Sequence, residues 1–159
     1  DRRALDRAGL VWAPEVRGAL CHRLIARLCE LRVRERSEIE PHARALMPTG
    51  LARVHQQALL SFVVPMAAVY LTRFRRHGWR FIGSEVIVGG VALDLLWQRQ
   101  GRMEADEVKS SASQPTAWRS AAEAQARAQA QAAGEHFGRS FAGVRIVALA
   151  FGESVWVPA

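Results

Sequence analysis

Apolar residues in the first third of the chain recur at three- and four-residue spacing. Val16, Leu20, Leu24, Ile25, Leu28 and Leu31 form one stripe, and Pro14 suits a first helical turn, so the pattern predicts a helix ending around Glu38. Its other face carries Arg17, Arg23, Arg27, Arg34 and Arg36, read either as a solvated face or as phosphate contacts. Pro41, Pro48 and Gly50 break the pattern and read as a linker. A second helix is predicted over about 51–77, kinked or split by Pro65 and stopped by Gly78.

The period then changes. Three β-rich runs at 79–88, 91–98 and 103–109, separated by Gly89-Gly90 and Gln100-Gly101, predict consecutive antiparallel strands joined by tight turns. A Ser/Pro/Thr loop over 110–116 precedes an alanine- and glutamine-rich helix over 117–137, and strands at 144–151 and 155–157 finish the chain. The helix after the third strand permits a parallel crossover, which gives an α+β fold with a mixed sheet. The expected organisation is an arginine-rich helical segment over 1–50 and a core over 51–159, with no internal repeat.

Composition sets bounds. With 159 residues, 50% hydrophobic and 23% charged, the chain suits one domain with a real core and is too small for two full ones. The longest apolar stretch, 59–71, is interrupted by Ser61 and Pro65 and falls short of the ~20 residues that cross a bilayer, so no membrane association is expected. The chain starts at Asp1 rather than Met, consistent with a fragment or with a signal once attached. Cys21 and Cys29 are about 12 Å apart along one predicted helix, too far to bridge. Without a CxxC pair or Cys/His cluster, structural zinc and iron–sulfur ligation lack a ligand set, and a reducing, cytoplasmic location is expected.

A net charge of +7 makes an anionic partner the expectation, nucleic acid first among them. Lys109 is the single lysine among 22 basic residues. The arginine excess is what codon preference in a GC-rich genome would also produce, so the exception matters more than the excess. Glu107 and Lys109, two apart on the third strand, project from one face, while Glu104, Asp106 and Val108 take the other. If Asp94 of the second strand shares the first face, two carboxylates converge beside an ammonium. Such a set of hard oxygens suits Mg²⁺, which takes one or two carboxylates, keeps waters and coordinates a substrate phosphate. A compact ammonium orients water or stabilises developing charge better than a guanidinium fork. Composition alone puts an acid two residues before the lone lysine about 0.1 times in such a chain.

Ser84-Glu85-Val86, Leu93-Asp94-Leu95-Leu96 and Glu107-Val108-Lys109-Ser110 resemble the active-site pattern of the PD-(D/E)XK nuclease superfamily, and the element order over 51–157 is similar to its αβββαβ restriction-endonuclease-like core. The resemblance covers about two-thirds of the chain. Leu93 stands where the family name has proline, and no tyrosine follows the helix glutamines as it does in RecB-like members. The resemblance implies metal-dependent phosphodiester hydrolysis, with DNA as the expected substrate. Asp94 and Glu107 would hold Mg²⁺ or Mn²⁺, with Glu85 as a supporting acid and His55 as a further ligand of the RecB-like kind. Lys109 and Gln125 would complete the catalytic set.

Each assignment has a plainer alternative. Asp94, Glu107 and Lys109 would also make a cross-strand salt-bridge set. Glu85 and His55 would equally be surface residues, and Gln125 and Gln129, which share a helix face, would equally be composition. Trp79, Trp97 and Trp118 read as core or rim packing. The arginines, including Arg73, Arg75 and Arg76, would supply phosphate affinity. The rival functions are a non-cleaving nucleic-acid-binding module and a protein-interaction domain, and the sequence leaves open a homodimer or larger assembly and a repair, defence or secreted-toxin context.

Overall fold

In the computed structural model, which describes residues 13–110 and 117–159, the first apolar stripe forms α1 (Pro14–Glu30), with Pro14 in its first turn. Leu20, Leu24, Ile25 and Leu28 are buried along it. The helix stops eight residues before the expected end at Glu38. Arg32 turns to a left-handed φ of 56°, its N–H bonds to the Cys29 carbonyl, and the Val33 N–H reaches back to Leu28 O at 2.9 Å. This pair of closing bonds satisfies the terminal carbonyls as a glycine C-cap would, with an arginine in the glycine's place. Buried Val33 and Leu28 add the accompanying apolar pair.

The chain restarts in a short 3₁₀ turn (Arg36–Glu38), whose entry is held by the Glu35 N–H donating to the Glu38 carboxylate, and runs into α2 (Ile39–Ala45). Pro41, expected in a linker, instead occupies the first turn of α2, where a missing N–H breaks no helical bond. The third helix, α3 (Arg53–Val69), runs unbroken through Pro65 and widens into a π-helical segment (Tyr70–Phe74). Burial of Leu59, Leu60, Val63, Ala67 and Ala68 offsets the bond that Pro65 removes, so the expected split does not occur.

Two compact units divide the chain, Asp1–Phe74 and Arg75–Ala159. The division falls after α3, which packs with α1 and α2, whereas the sequence pattern placed it near residue 50. The apolar helix is also longer than 59–71. Counting the π segment it covers Arg53–Phe74, 22 residues, so the length argument against a membrane span falls away; length and composition fit a span and a buried core helix alike.

The second unit is a five-stranded sheet with one long helix: β1 (Arg80–Val88), β2 (Val91–Arg99), β3 (Arg102–Lys109), α4 (Ala117–Phe137), β4 (Phe141–Ala148) and β5 (Glu153–Pro158). The strands lie in sequence order, antiparallel except for the β3–β4 pair, which is parallel across the α4 crossover as expected. Gly89-Gly90 and Gln100-Gly101 each take two successive positive φ angles, the turn geometry that matches strand twist in a two-residue hairpin. The last two strands begin earlier than predicted, at Phe141 and Glu153. The expected loop over 110–116 lies, apart from Ser110, outside the described residues. Ala122, Ala126, Ala130 and Ala133 form a buried ridge on α4 against Leu96, Ala105, Val144, Ile146 and Ala148. Small side chains along the ridge let helix and sheet approach closely, and this positions the polar residues beside them. The whole is a mixed α/β fold with several helices and a five-stranded mixed sheet.

Candidate active site

β3 carries charge on both faces. Strand alternation sends Glu107 and Lys109 toward α4, and Glu104 and Asp106 to the reverse side. The ladder between β2 and β3 runs from Arg99–Arg102 to Leu95–Asp106, and one step further the same register sets Asp94 opposite Glu107. There the side chain of Asp94 takes over from the ladder: its Oδ2 accepts the Val108 N–H at 2.8 Å. Asp94 is half-buried and Glu107 is 2% exposed.

A carboxylate so deeply buried needs partners. Lys109 Nζ donates to Glu107 Oε1 at 2.6 Å and also to Gln125 Oε1 at 2.7 Å. Gln129 Nε2 donates to Glu107 Oε2 at 2.6 Å and to the Ala92 carbonyl at 2.9 Å. The Lys109 side chain is 28% exposed and Gln125 is exposed, so the group opens to solvent at the ammonium and closes at Gln129. The structure therefore joins Glu107, Lys109, Gln125 and Gln129 by side-chain hydrogen bonds, with Asp94 bonded to the Val108 backbone between Glu107 and Lys109. Of the two glutamines one helical turn apart, the resemblance implies only Gln125; a polar position within an alanine ridge is the sequence signal for Gln129.

No hydrogen bond among the described residues ties Glu85 to this group. Glu85, between the Ser84–Leu95 and Val86–Leu93 pairs, is exposed and has a left-handed φ of 49°, a conformation that costs a non-glycine residue. His55 stands half-buried in the first turn of α3, in the first unit. Among the described residues no three His, Cys, Asp or Glu side chains gather to hold a metal. The two carboxylates nevertheless fit a cation of the Mg²⁺ class. Such an ion needs only one or two protein oxygens, and the bonds described use one of the two acceptor directions on each Glu107 oxygen.

On the reverse face, Asp106 is fully buried between two guanidinium groups. Arg145 grips it through Nε at 2.9 Å and Nη2 at 2.8 Å, and Arg76 Nη2 adds a bond at 2.8 Å. Arg76 also pairs with Glu104, which Arg102 holds at 2.8 Å. Burial alone would lower the Arg76 pKa, but the charges and hydrogen bonds of Asp106 and Glu104 more than offset this and hold it above its ordinary value. The Arg76 side chain is 7% exposed, with its guanidinium over the Trp79 ring, so it is a structural ion-pair residue and not the phosphate contact expected from its place beside Arg73 and Arg75. Trp97 and Trp118 are buried, as core tryptophans.

With this geometry in view, comparison with known proteins finds no matching family model, no matching curated protein and no matching solved structure.

Proposed function

We propose that the chain carries a metal-dependent phosphodiesterase of the PD-(D/E)XK type, a nuclease acting on DNA. The observation that carries this reading is the Glu107–Lys109 pair beside the bond from Val108 N–H to the Asp94 carboxylate, where β2 and β3 part. The order helix, three strands, helix, strand agrees with the αβββαβ core that the sequence resembles. Asp94 and Glu107 would hold Mg²⁺ or Mn²⁺, which when bound supplies Lewis acidity toward the phosphoryl group and a more acidic water. Lys109, held between Glu107 and Gln125, presents its ammonium on the solvent side, where it orients an attacking water or stabilises charge on the phosphate.

Cleavage of supercoiled and linear DNA with Mg²⁺ or EDTA tests the reading. Cleavage is expected with Mg²⁺ only, and Lys109→Gln should lower it by at least about 10²-fold, the scale of a lost charge-stabilising group. Lys109→Gln is preferable to Lys109→Ala, since a short apolar side chain leaves the buried Glu107 carboxylate with Gln129 alone. An unchanged rate in a folded Lys109→Gln protein overturns the role given to Lys109.

A non-cleaving nucleic-acid-binding module is the second reading. It is favoured by the engagement of both Glu107 oxygens by this chain's own side chains. DNA binding without calorimetrically detectable Mg²⁺ or Mn²⁺ binding would select it.

A further inference from the structure

Gln129 is the one buried polar residue among the described side chains of α4, 2% exposed within a ridge of alanines. The sense of its amide is fixed by its neighbours. Both groups within reach of Nε2, the Ala92 carbonyl and Glu107 Oε2, are acceptors, so a flipped amide would set oxygen against oxygen twice. In the orientation thus required, Oε1 is buried without a hydrogen-bond donor among the described residues. A buried acceptor left in that state costs stability, and an alanine or leucine would complete the ridge without it.

The location of the two Nε2 bonds gives the residue its use. The β2–β3 ladder ends at Leu95–Asp106, and beyond it two side chains occupy the parting strands: the Asp94 carboxylate on Val108 N–H, and the Gln129 amide between Ala92 and Glu107. Ala92 lies two residues before Asp94 on the same strand. One NH₂ group therefore ties the strand that bears the first carboxylate to the carboxylate of the second. Lys109 holds the opposite oxygen, Oε1, and has Gln125 as a second acceptor, so the ammonium stays tethered if it gives up Oε1.

We infer that Gln129 is a positioning residue: it fixes the Glu107 carboxylate relative to Asp94 so that the pair can receive a divalent cation as Lys109 yields. The inference rests on the metal-site reading above. A group that orients a ligating carboxylate is worth about 10–100-fold in metal affinity, which sets the expected effect.

The test uses the full chain and Mn²⁺ as the probe, with affinity read by calorimetry and folding by circular dichroism. Gln129→Met, close in volume and free of donors, should bind Mn²⁺ about 10–100-fold more weakly while remaining folded. Gln129→Glu sets a second carboxylate against Glu107, so Mn²⁺ should raise its unfolding midpoint by more than it raises that of the wild type. A role confined to packing would leave the Mn²⁺ affinity of a folded Gln129→Met protein unchanged. Unchanged Mn²⁺ affinity in a folded Gln129→Met protein overturns the inference, as does an equal midpoint rise for Gln129→Glu and wild type. If the wild type itself binds no Mn²⁺, the metal-site reading is overturned instead. The contact is then judged without metal, by a double-mutant cycle of unfolding with Gln129→Met and Glu107→Gln: non-additive midpoints support positioning of Glu107, and additive ones overturn it.

Discussion

Buried ionisable side chains in this protein are neutralised by company or by keeping a proton. Glu107 follows the first course, with Lys109 and Gln129 on its two oxygens. Cys21 follows the second: fully buried on α1, its thiol is pushed up from 9.0 to about 12 by loss of solvation. Between those values the unfolded chain releases the Cys21 proton and the folded chain keeps it. Folding stability should therefore fall as pH rises from about 9 toward 12, by up to about 1.4 kcal/mol per pH unit, with no contribution from this group below pH 9. Urea unfolding at pH 7.5 and pH 10.5 should show a smaller alkaline loss for Cys21→Ala than for the wild type, and parallel losses would exclude the thiol as the cause. Neither Cys21 nor Cys29 is in a disulfide, as their helical spacing required.

At the scale of elements, β3 carries most of the molecule's charge chemistry because alternation splits its residues between two environments. Glu107 and Lys109 face α4, while Asp106 and Glu104 pair with Arg76, Arg102 and Arg145. Asp106→Asn removes the charge that two clasping guanidiniums require. Breaking one side of a buried ion network costs about 3–5 kcal/mol, and denaturant unfolding should show a loss of that order. A loss below about 1 kcal/mol would mean that the arginines find other partners at little cost. The strands were legible because their signals are local: alternating apolar positions bounded by Gly89-Gly90 and Gln100-Gly101 locate three strands to within a residue. Helix α4 was legible for the same reason. The end of α1 was not, because Arg32 adopts the left-handed turn that a sequence reader expects from glycine.

For the molecule as a whole, the net charge of +7 predicts salt-sensitive binding to nucleic acid, with log K falling by about 0.9 per phosphate neutralised for each unit of log salt. The fold changes which arginines contribute. Arg73 is exposed, so Arg73→Ala should lower that slope by about 1 if it meets phosphate. Arg76 is committed to Asp106 and Glu104, so Arg76→Ala should leave the slope unchanged and reduce stability. Binding titrations from 50 to 200 mM salt separate the two, and equal slope changes would contradict the sequestration of Arg76.

The sequence by itself determined the order of helices and strands, the turns between strands, the parallel crossover, and the alternation that sets Glu107 beside Lys109. Those follow from hydrophobic period, turn residues and side-chain direction, which act over a few neighbouring residues. Only the tertiary structure decided that Asp94 meets the Val108 N–H, that Gln129 holds Glu107, that Glu85 takes a left-handed backbone, and that Arg76 is buried in an ion pair. Each of these depends on strand register, on the rotation of α4 over the sheet, or on a contact between residues distant in sequence, which local patterns do not encode.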